Sequence, residues 1–369
     1  MVGTKIVIAP DSFKGTCAAG DAARALAEGW SAVRPGDDVV LRPMADGGEG
    51  TIDAFATAIP EARRMPVRVT GPAGAPVDAS WLLLPDGTGV VELASTSGIE
   101  LLHGDLRGRD ASTLGFGQTI RAALDNGASR LILGIGSSAS TDGGIGALTA
   151  LGARFTDAYD VSVPPGAAGF EELAKVDLTR LRPVPAGGVL VLTDVTNPLT
   201  GPNGAAAVFG PQKGLDPDRI ARADAGLALL ATLLGADPAT PGAGAAGGTG
   251  YGLLAWGARL AGGAAEIAEL TGLAEAVEGS DLVITGEGSY DGQSAAGKTP
   301  AFVAELAHGA GARVAVVAGR IAEDARTTGV DALSLTALAG SAEAAMTETT
   351  RWLRAAGEKL ANDYREGAR

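Results

Sequence analysis

The chain reads as an α/β protein of two domains, each with a mainly parallel sheet flanked by helices in the Rossmann-like or flavodoxin-like manner. Three observations predict this. Short apolar runs alternate with amphipathic or alanine-rich stretches along most of the sequence, as parallel strands joined by helical crossovers require. The 369 residues are enough for two cores of ordinary size. Five apolar runs lead directly into polar, glycine-containing loops, the position at which open α/β sheets bind ligands.

Taken in order, the apolar runs predict strands over 5–9, 38–43, 129–133, 188–193, 281–285, 313–318 and 332–336. Helices are expected over 18–33, 50–58, 112–126, 145–151, 218–234, 300–308 and 341–364. Pro300 suits a first helical turn, where no N–H is needed. Met346, Leu353, Leu360 and Tyr364 recur at helical spacing and read as one packed face. Residues 67–69, 77–84 and 89–93 are consecutive strand-like runs punctuated by Gly and Pro, which suggests a meander or a domain crossover. Both chain ends look doubly wound. We therefore expect a discontinuous outer domain, 1–70 plus 278–369, and an inserted second α/β domain, 71–277. Residues 241–250 have the composition of a flexible linker, and their glycines would equally let a backbone approach a ligand.

Composition narrows the function. The net charge of −14 disfavours nucleic acid and anionic membrane as partners. No stretch approaches the length of uncharged apolar residues that spans a bilayer, and Lys5 leads straight into Ile6-Val7-Ile8 without a signal-peptide pattern. A cytoplasmic protein is expected. The single cysteine, Cys17, excludes an intramolecular disulfide framework, and two histidines make a zinc cluster a poor fit. An acidic protein that binds an anion must concentrate positive charge locally. Of six lysines, Lys14, Lys213 and Lys298 lie inside glycine-rich segments.

The five loops carry the chemistry. They contain Asp11, Ser12 and Lys14; then Asp46 and Glu49; then Gly136, Ser137, Ser138, Thr141 and Asp142; then Asp194, Asn197 and, further on, Lys213; and finally Glu287, Asp291, Gly297 and Lys298. Any one of them could be an ordinary turn or helix cap. Together they offer carboxylates, hydroxyls and a few lysines, the set that Mg²⁺-dependent phosphoryl transfer uses for positioning and charge neutralisation.

Two short motifs compete within this set. Residues 292–299 match G-x-x-x-x-G-K-S/T, in which backbone N–H groups and a lysine cradle phosphates. The apolar run before it ends at Thr285, an acidic insert intervenes, and the strand ending in Asp194 precedes the lysine loop instead of following it. A P-loop fold is disfavoured on those grounds. Residues 134–139 match G-x-G-x-x-G/A, with Asp157 at the distance expected of a ribose-binding acid. That would suggest an NAD-dependent oxidoreductase, although Asp142 should repel a pyrophosphate and no clear hydride-transfer acid follows. A phosphate-binding protein without turnover is the third class.

As a set, the loops resemble a known family. Ile6-Val7-Ile8-Ala9-Pro10-Asp11-Ser12-Phe13-Lys14-Gly15, Pro43-Met44-Ala45-Asp46-Gly47-Gly48-Glu49-Gly50-Thr51, Asn197-Pro198-Leu199 with Phe209-Gly210-Pro211-Gln212-Lys213-Gly214, and Ile284-Thr285-Gly286-Glu287-Gly288 with Gly297-Lys298 closely resemble the bacterial type I glycerate kinases. Thr16-Cys17 stands where Ser-Leu is expected, and Ser137-Ser138 where Gly-Ser is usual. The resemblance implies ATP-dependent, Mg²⁺-assisted phosphorylation of D-glycerate, at the 2-hydroxyl to give 2-phosphoglycerate; formation of 3-phosphoglycerate or action on a related sugar acid is the alternative. It further implies an active-site cleft between the two domains; the oligomeric state stays open between monomer and homodimer.

Roles follow from chemistry. Asp194, Lys14 and Asp46 are the expected catalytic residues, with Asp194 as hydroxyl base or Mg²⁺ anchor. Asp11, Ser12, Glu49, Asn197 and Lys213 are expected to bind substrate. Gly136, Ser137, Ser138, Thr141, Gly297 and Lys298 are expected to bind nucleotide, and Asp194, Glu287 and Asp291 the metal.

Overall fold

The computed structural model describes residues 3–13, 15–291, 299–322 and 330–364. Thirteen strands occur among them: β1 Lys5–Pro10, β2 Asp38–Leu41, β3 Arg63–Thr70, β4 Pro76–Leu83, β5 Thr88–Glu92, β6 Arg130–Gly134, β7 Arg154–Thr156, β8 Lys175–Asp177, β9 Val189–Leu192, β10 Arg259–Ala261, β11 Leu282–Tyr290, β12 Arg313–Ile321 and β13 Asp331–Ser334. They fall into two compact units, one of Met1–Ala45, Asp53–Pro60 and Ala264–Arg369, the other of Asp46–Ile52 and Glu61–Gly263.

In the first unit five strands form a wholly parallel sheet, in the order β13-β12-β11-β1-β2. Ile8 of β1 lies between Ile284 and Leu41. A strand covered on both faces needs apolar residues at every position instead of alternate ones, and β1 is buried at all but its first residue. Leu26, Trp30, Leu353 and Ala356, from helices Ala19–Val33 and Thr349–Asp363, complete a core with Ile6, Ile8, Ile284 and Val317.

The second unit holds a six-stranded sheet, β10-β9-β6-β5-β4-β3, in which β10, β9, β6 and β5 are parallel and β4 and β3 antiparallel. Its core includes Trp81, Phe116, Ile120, Leu131, Leu133, Val191 and Tyr251. Pro66 lies in the edge strand β3, the kind of strand to which proline is largely confined within sheets. β7 and β8 form a separate antiparallel pair.

Several expectations shift. Single crossings at 70/71 and 277/278 are expected, whereas the chain passes between units at 45/46, 52/53, 60/61 and 263/264; β3 pairs along its whole length with β4 and so belongs to the second unit. The expected strand 332–336 stops at Ser334, whose hydroxyl accepts the amide of Ala337 and caps the helix Leu335–Ala339. The expected helix 341–364 divides into Ala342–Thr347 and Thr349–Asp363, broken at Glu348 (φ −123°, ψ 41°). Met346 is consequently off the packed face and 62% exposed, whereas Leu353 is wholly buried.

Residues 241–250 are no linker. All but Pro241 and Ala246 are buried, and Ala246, Gly247 and Gly248 run successively through left-handed conformations, φ 53°, 64° and 86°. A Cβ at Gly247 would stand 2.1 Å from the Ser140 carbonyl oxygen, so the segment is packed against the 134–144 loop. β11 runs on through Tyr290, and a helix occupies Thr299–Gly309. The strand therefore reaches closer to residue 292 than the apolar run suggested; Gly297 and Lys298 lie outside the described residues, as does Lys14. No helix among the described residues is long and apolar enough to cross a membrane.

Candidate functional site

The second unit gathers several predicted residues at the carboxyl ends of its parallel strands. The close approach is made by glycines. Gly136, two residues past β6, donates its amide to the Gly47 carbonyl at 3.0 Å, and a Cβ there would lie 2.4 Å from the Gly48 Cα. Gly263, two residues past β10, donates to Asp194 Oδ1 at 2.6 Å; a Cβ on it would stand 2.2 Å from the Asp46 carbonyl oxygen. Asp46 turns its own Oδ1 back to the Gly48 amide, at 3.0 Å. Two carboxylate-bearing residues thus flank one glycine, beside the loop of Gly136 and Ser137.

That loop has an open crest and a buried root. Ser137 is exposed and Gly136 partly so, while residues 138–142 are all buried. Ser137 adopts φ 58°, the left-handed region that costs an L-residue roughly 1–2 kcal/mol. The glycine expected at this position on resemblance would carry no such penalty. Ser138 Oγ lies 3.1 Å from Ser140 Oγ. Thr141 has no exposed surface, and its Oγ1 has no partner among the described residues, so this conformation offers it to no ligand. Asp142 is also wholly buried, and its carboxylate accepts four hydrogen bonds: Thr113 N at 2.9 Å, Thr113 Oγ1 at 2.8 Å, Gly144 N at 3.1 Å and Gly146 N at 3.3 Å. It folds the loop.

The dinucleotide pattern dissolves on this geometry. The helix after β6 opens only at Ile145, and Asp157 Oδ1 is occupied by the amides of Tyr159 and Val161 in its own turn, at 2.8 and 2.9 Å.

Lys213 ends a single 3₁₀ turn, Pro211–Lys213, and is 3% exposed. Its ammonium donates to the Ser140 carbonyl. Burial pushes its pKa down to about 7, partly offset by the negative charge of Asp142. Asn197 donates Nδ2 to the Asn203 carbonyl at 2.8 Å, and Glu49 is exposed.

In the first unit, Asp11 and Ser12 follow β1. The Asp11 amide donates to Gly286 O at 2.8 Å, and the Ser12 amide to Asp11 Oδ1 at 2.6 Å. Glu287 lies within β11 opposite Ala318, and Asp291 follows that strand. Burial, and then the charge of Glu287, raises the pKa of the Tyr290 phenol.

Among the described residues no three His, Cys, Asp or Glu side chains cluster as a metal site. Mg²⁺ in phosphoryl-transfer enzymes is commonly held by one or two carboxylates plus the substrate phosphates. Asp194, exposed and oriented by the Gly263 amide, offers the hard oxygen donor such a cation takes.

Three residues escaped the sequence reading. Glu92 ends β5, is 6% exposed and accepts the Ile52 amide at 3.2 Å; an acid closing an apolar run is the signal that picked out Asp194. Arg42 follows β2, and its buried Nε has no partner among the described residues. Gly263 gave no signal, since glycines abound in this chain.

Comparison with known proteins supplies the remaining evidence. The sequence model of the glycerate kinase family matches residues 6–365. The Bacillus subtilis (strain 168) protein named glycerate kinase is 43% identical over 346 residues, 89% of each chain. The Escherichia coli (strain K12) protein named glycerate 2-kinase is 41% identical over 341 residues, again 89% of each. The crystal structure of a protein named glycerate kinase 2 from Salmonella typhimurium LT2 has a TM-score of 0.83 and 38% identity, with 98% of each chain covered. With a family match along nearly its whole length and loops that carry the family's residues, the chain belongs to the glycerate kinase family.

Proposed function

We propose that the protein transfers the γ-phosphoryl group of ATP to the 2-hydroxyl of D-glycerate, giving 2-phosphoglycerate. The observation that carries this reading is the placement of Asp46 and Asp194 on either side of Gly263, in a chain of a kinase family. The 2-position rests on the name of the Escherichia coli relative, glycerate 2-kinase.

Asp194, fixed by the Gly263 amide, is the group that accepts the proton of the attacking hydroxyl or anchors the cation, and Asp46 assists it. The exposed crest at Gly136 and Ser137 is the nucleotide candidate of the second unit; Gly297 and Lys298, the other expected nucleotide residues, lie outside the described residues. For the acid, Glu49 and Asn197 are the candidates of the second unit and Asp11 and Ser12 those of the first; Lys14, outside the described residues, is the cation expected to neutralise its carboxylate or the moving phosphoryl group. Asp194 would hold Mg²⁺ within the second unit, while Glu287 and Asp291 are the metal candidates of the first. When bound, Mg²⁺ supplies charge neutralisation of the nucleotide phosphates. The role of Lys213 changes. Its burial and its bond to Ser140 leave no route to direct substrate contact in this conformation.

The test is purified protein with ATP, Mg²⁺ and D-glycerate, followed by phosphorus NMR. A new phosphate on carbon 2 supports the reading. A 3-phosphate, or no ATP consumption that depends on D-glycerate, overturns it.

A further inference from the structure

We propose that Lys213 is a positioning residue, which holds the root of the 134–144 loop so that its crest, Gly136 and Ser137, stays against the Asp46–Gly48 turn. The inference rests on the functional reading above, in which that crest receives nucleotide.

Four observations carry it. Lys213 is fixed at both ends, since its carbonyl accepts the Gly108 amide at 2.8 Å while its ammonium reaches Ser140, 73 positions away in sequence. A residue 3% exposed touches no substrate in this conformation. Its bond lies at the point where the loop turns inward: the Ala139 amide donates to Ser97 O at 3.1 Å and the Ile99 amide to Ser137 O at 2.9 Å, so the tether at Ser140 closes a short framework behind the crest. Finally, a buried ammonium whose partner is a carbonyl is costly, and an apolar side chain of the same volume would pack there at less cost. Stability alone does not account for lysine at this position. The charged group that faces it is Asp142, which is itself held by Thr113, Gly144 and Gly146. Carboxylate and ammonium therefore grip adjoining parts of one loop, and the crest on its far side inherits the alignment.

The experiment compares wild type with Lys213→Met, which keeps the volume and loses the donor, and Lys213→Gln, which keeps a neutral N–H donor. Measurements are KM for ATP, KM for D-glycerate, kcat, and calorimetric binding of ATP. Misplacement of a positioned group by about 1 Å can cost on the order of 10²-fold. Lys213→Met should lose at least tenfold in kcat/KM for ATP and bind ATP more weakly, with KM for D-glycerate unchanged within about twofold, and Lys213→Gln should recover most of the loss. A rise in KM for D-glycerate in both variants, with ATP binding intact, would instead show a charge contact to the acid and overturn the proposal. Unchanged ATP parameters in Lys213→Met would overturn it as well. If Lys213→Met does not fold, Lys213→Leu, which also loses the donor, is read on the same KM split with the same overturning outcomes. Failure of the functional reading is separate: wild type would then not turn over ATP with D-glycerate, and amide hydrogen exchange at Gly136 and Ala139 would test the tether, faster exchange in Lys213→Met than in wild type supporting it and equal exchange overturning it.

Discussion

The amide of Gly263 donates to Asp194 Oδ1 at 2.6 Å, while the space a Cβ would need on that same glycine is taken by the carbonyl oxygen of Asp46, 2.2 Å away. One residue without a side chain thus sets the separation of two loops and orients a carboxylate. Gly263→Ala must push those loops apart. We expect turnover to fall on the order of 10²-fold, because near-attack geometry tolerates little displacement. Gly309→Ala is the control, since a Cβ at Gly309 meets nothing within 4 Å. Steady-state kinetics and thermal melting of both variants check this; Gly263→Ala with wild-type turnover would sink the assignment.

Charge at Asp194 can be separated from its geometry. Asp194→Asn retains an oxygen for the Gly263 amide but loses the negative charge. Preorganised electrostatics dominates phosphoryl transfer, so kcat should drop on the order of 10²-fold or more, with the melting temperature little changed. Asp46→Asn should cost less, because Asp46 is the assisting group. Single-turnover measurements would separate the chemical step from product release. Near-normal kcat in Asp194→Asn with intact folding would remove it from the catalytic machinery.

What the sequence revealed about this site follows the range of the interactions involved. Asp46 and Asp194 were legible because each closes or follows an apolar strand, a local signal. The parallel sheets were legible because continuous apolar runs such as Val189-Leu190-Val191-Leu192 have no polar face. Burial at the root of the third loop was not. Thr141 and Asp142 look like ordinary loop polar residues, and only folding encloses them: Gly247 packs against Thr141, and Thr113, Gly144 and Gly146 surround the Asp142 carboxylate. Nor could composition distinguish a flexible glycine tract from a close-packed one, as residues 241–250 show. Lys213 was found as a cation in a glycine-rich segment, yet its partner is a backbone carbonyl, which leaves no trace in sequence.

Ser137 offers a test on stability. At φ 58° a serine is strained by roughly 1–2 kcal/mol, and glycine is not. Glycine also makes the unfolded chain more flexible, which offsets about 0.4–1 kcal/mol of the gain. Ser137→Gly should therefore be neutral to mildly stabilising. Ser137→Val, β-branched in a left-handed position, should destabilise by about 1–3 kcal/mol. Urea denaturation midpoints decide the matter, and equal midpoints for the Gly and Val variants would argue against a strained crest.

Lys213 makes a prediction about pH. In the folded protein its pKa is lowered to about 7, from the 10.5 of an ordinary lysine, chiefly by burial. Below about pH 7 both folded and unfolded chains carry the proton, and the cost of burying the charge is fully present. Above it the folded protein releases the proton while the unfolded chain keeps it, so the unfolded state binds more protons and stability rises with pH, at up to about 1.4 kcal/mol per pH unit. Lys213→Met has no such group. Other titrations are common to both proteins and cancel in the difference. The stability of wild type relative to Lys213→Met should therefore increase between about pH 6 and pH 9, when denaturant midpoints are measured at constant ionic strength. A difference independent of pH would mean that the ammonium keeps its proton throughout, held more firmly by Asp142 and Ser140 than its burial implies.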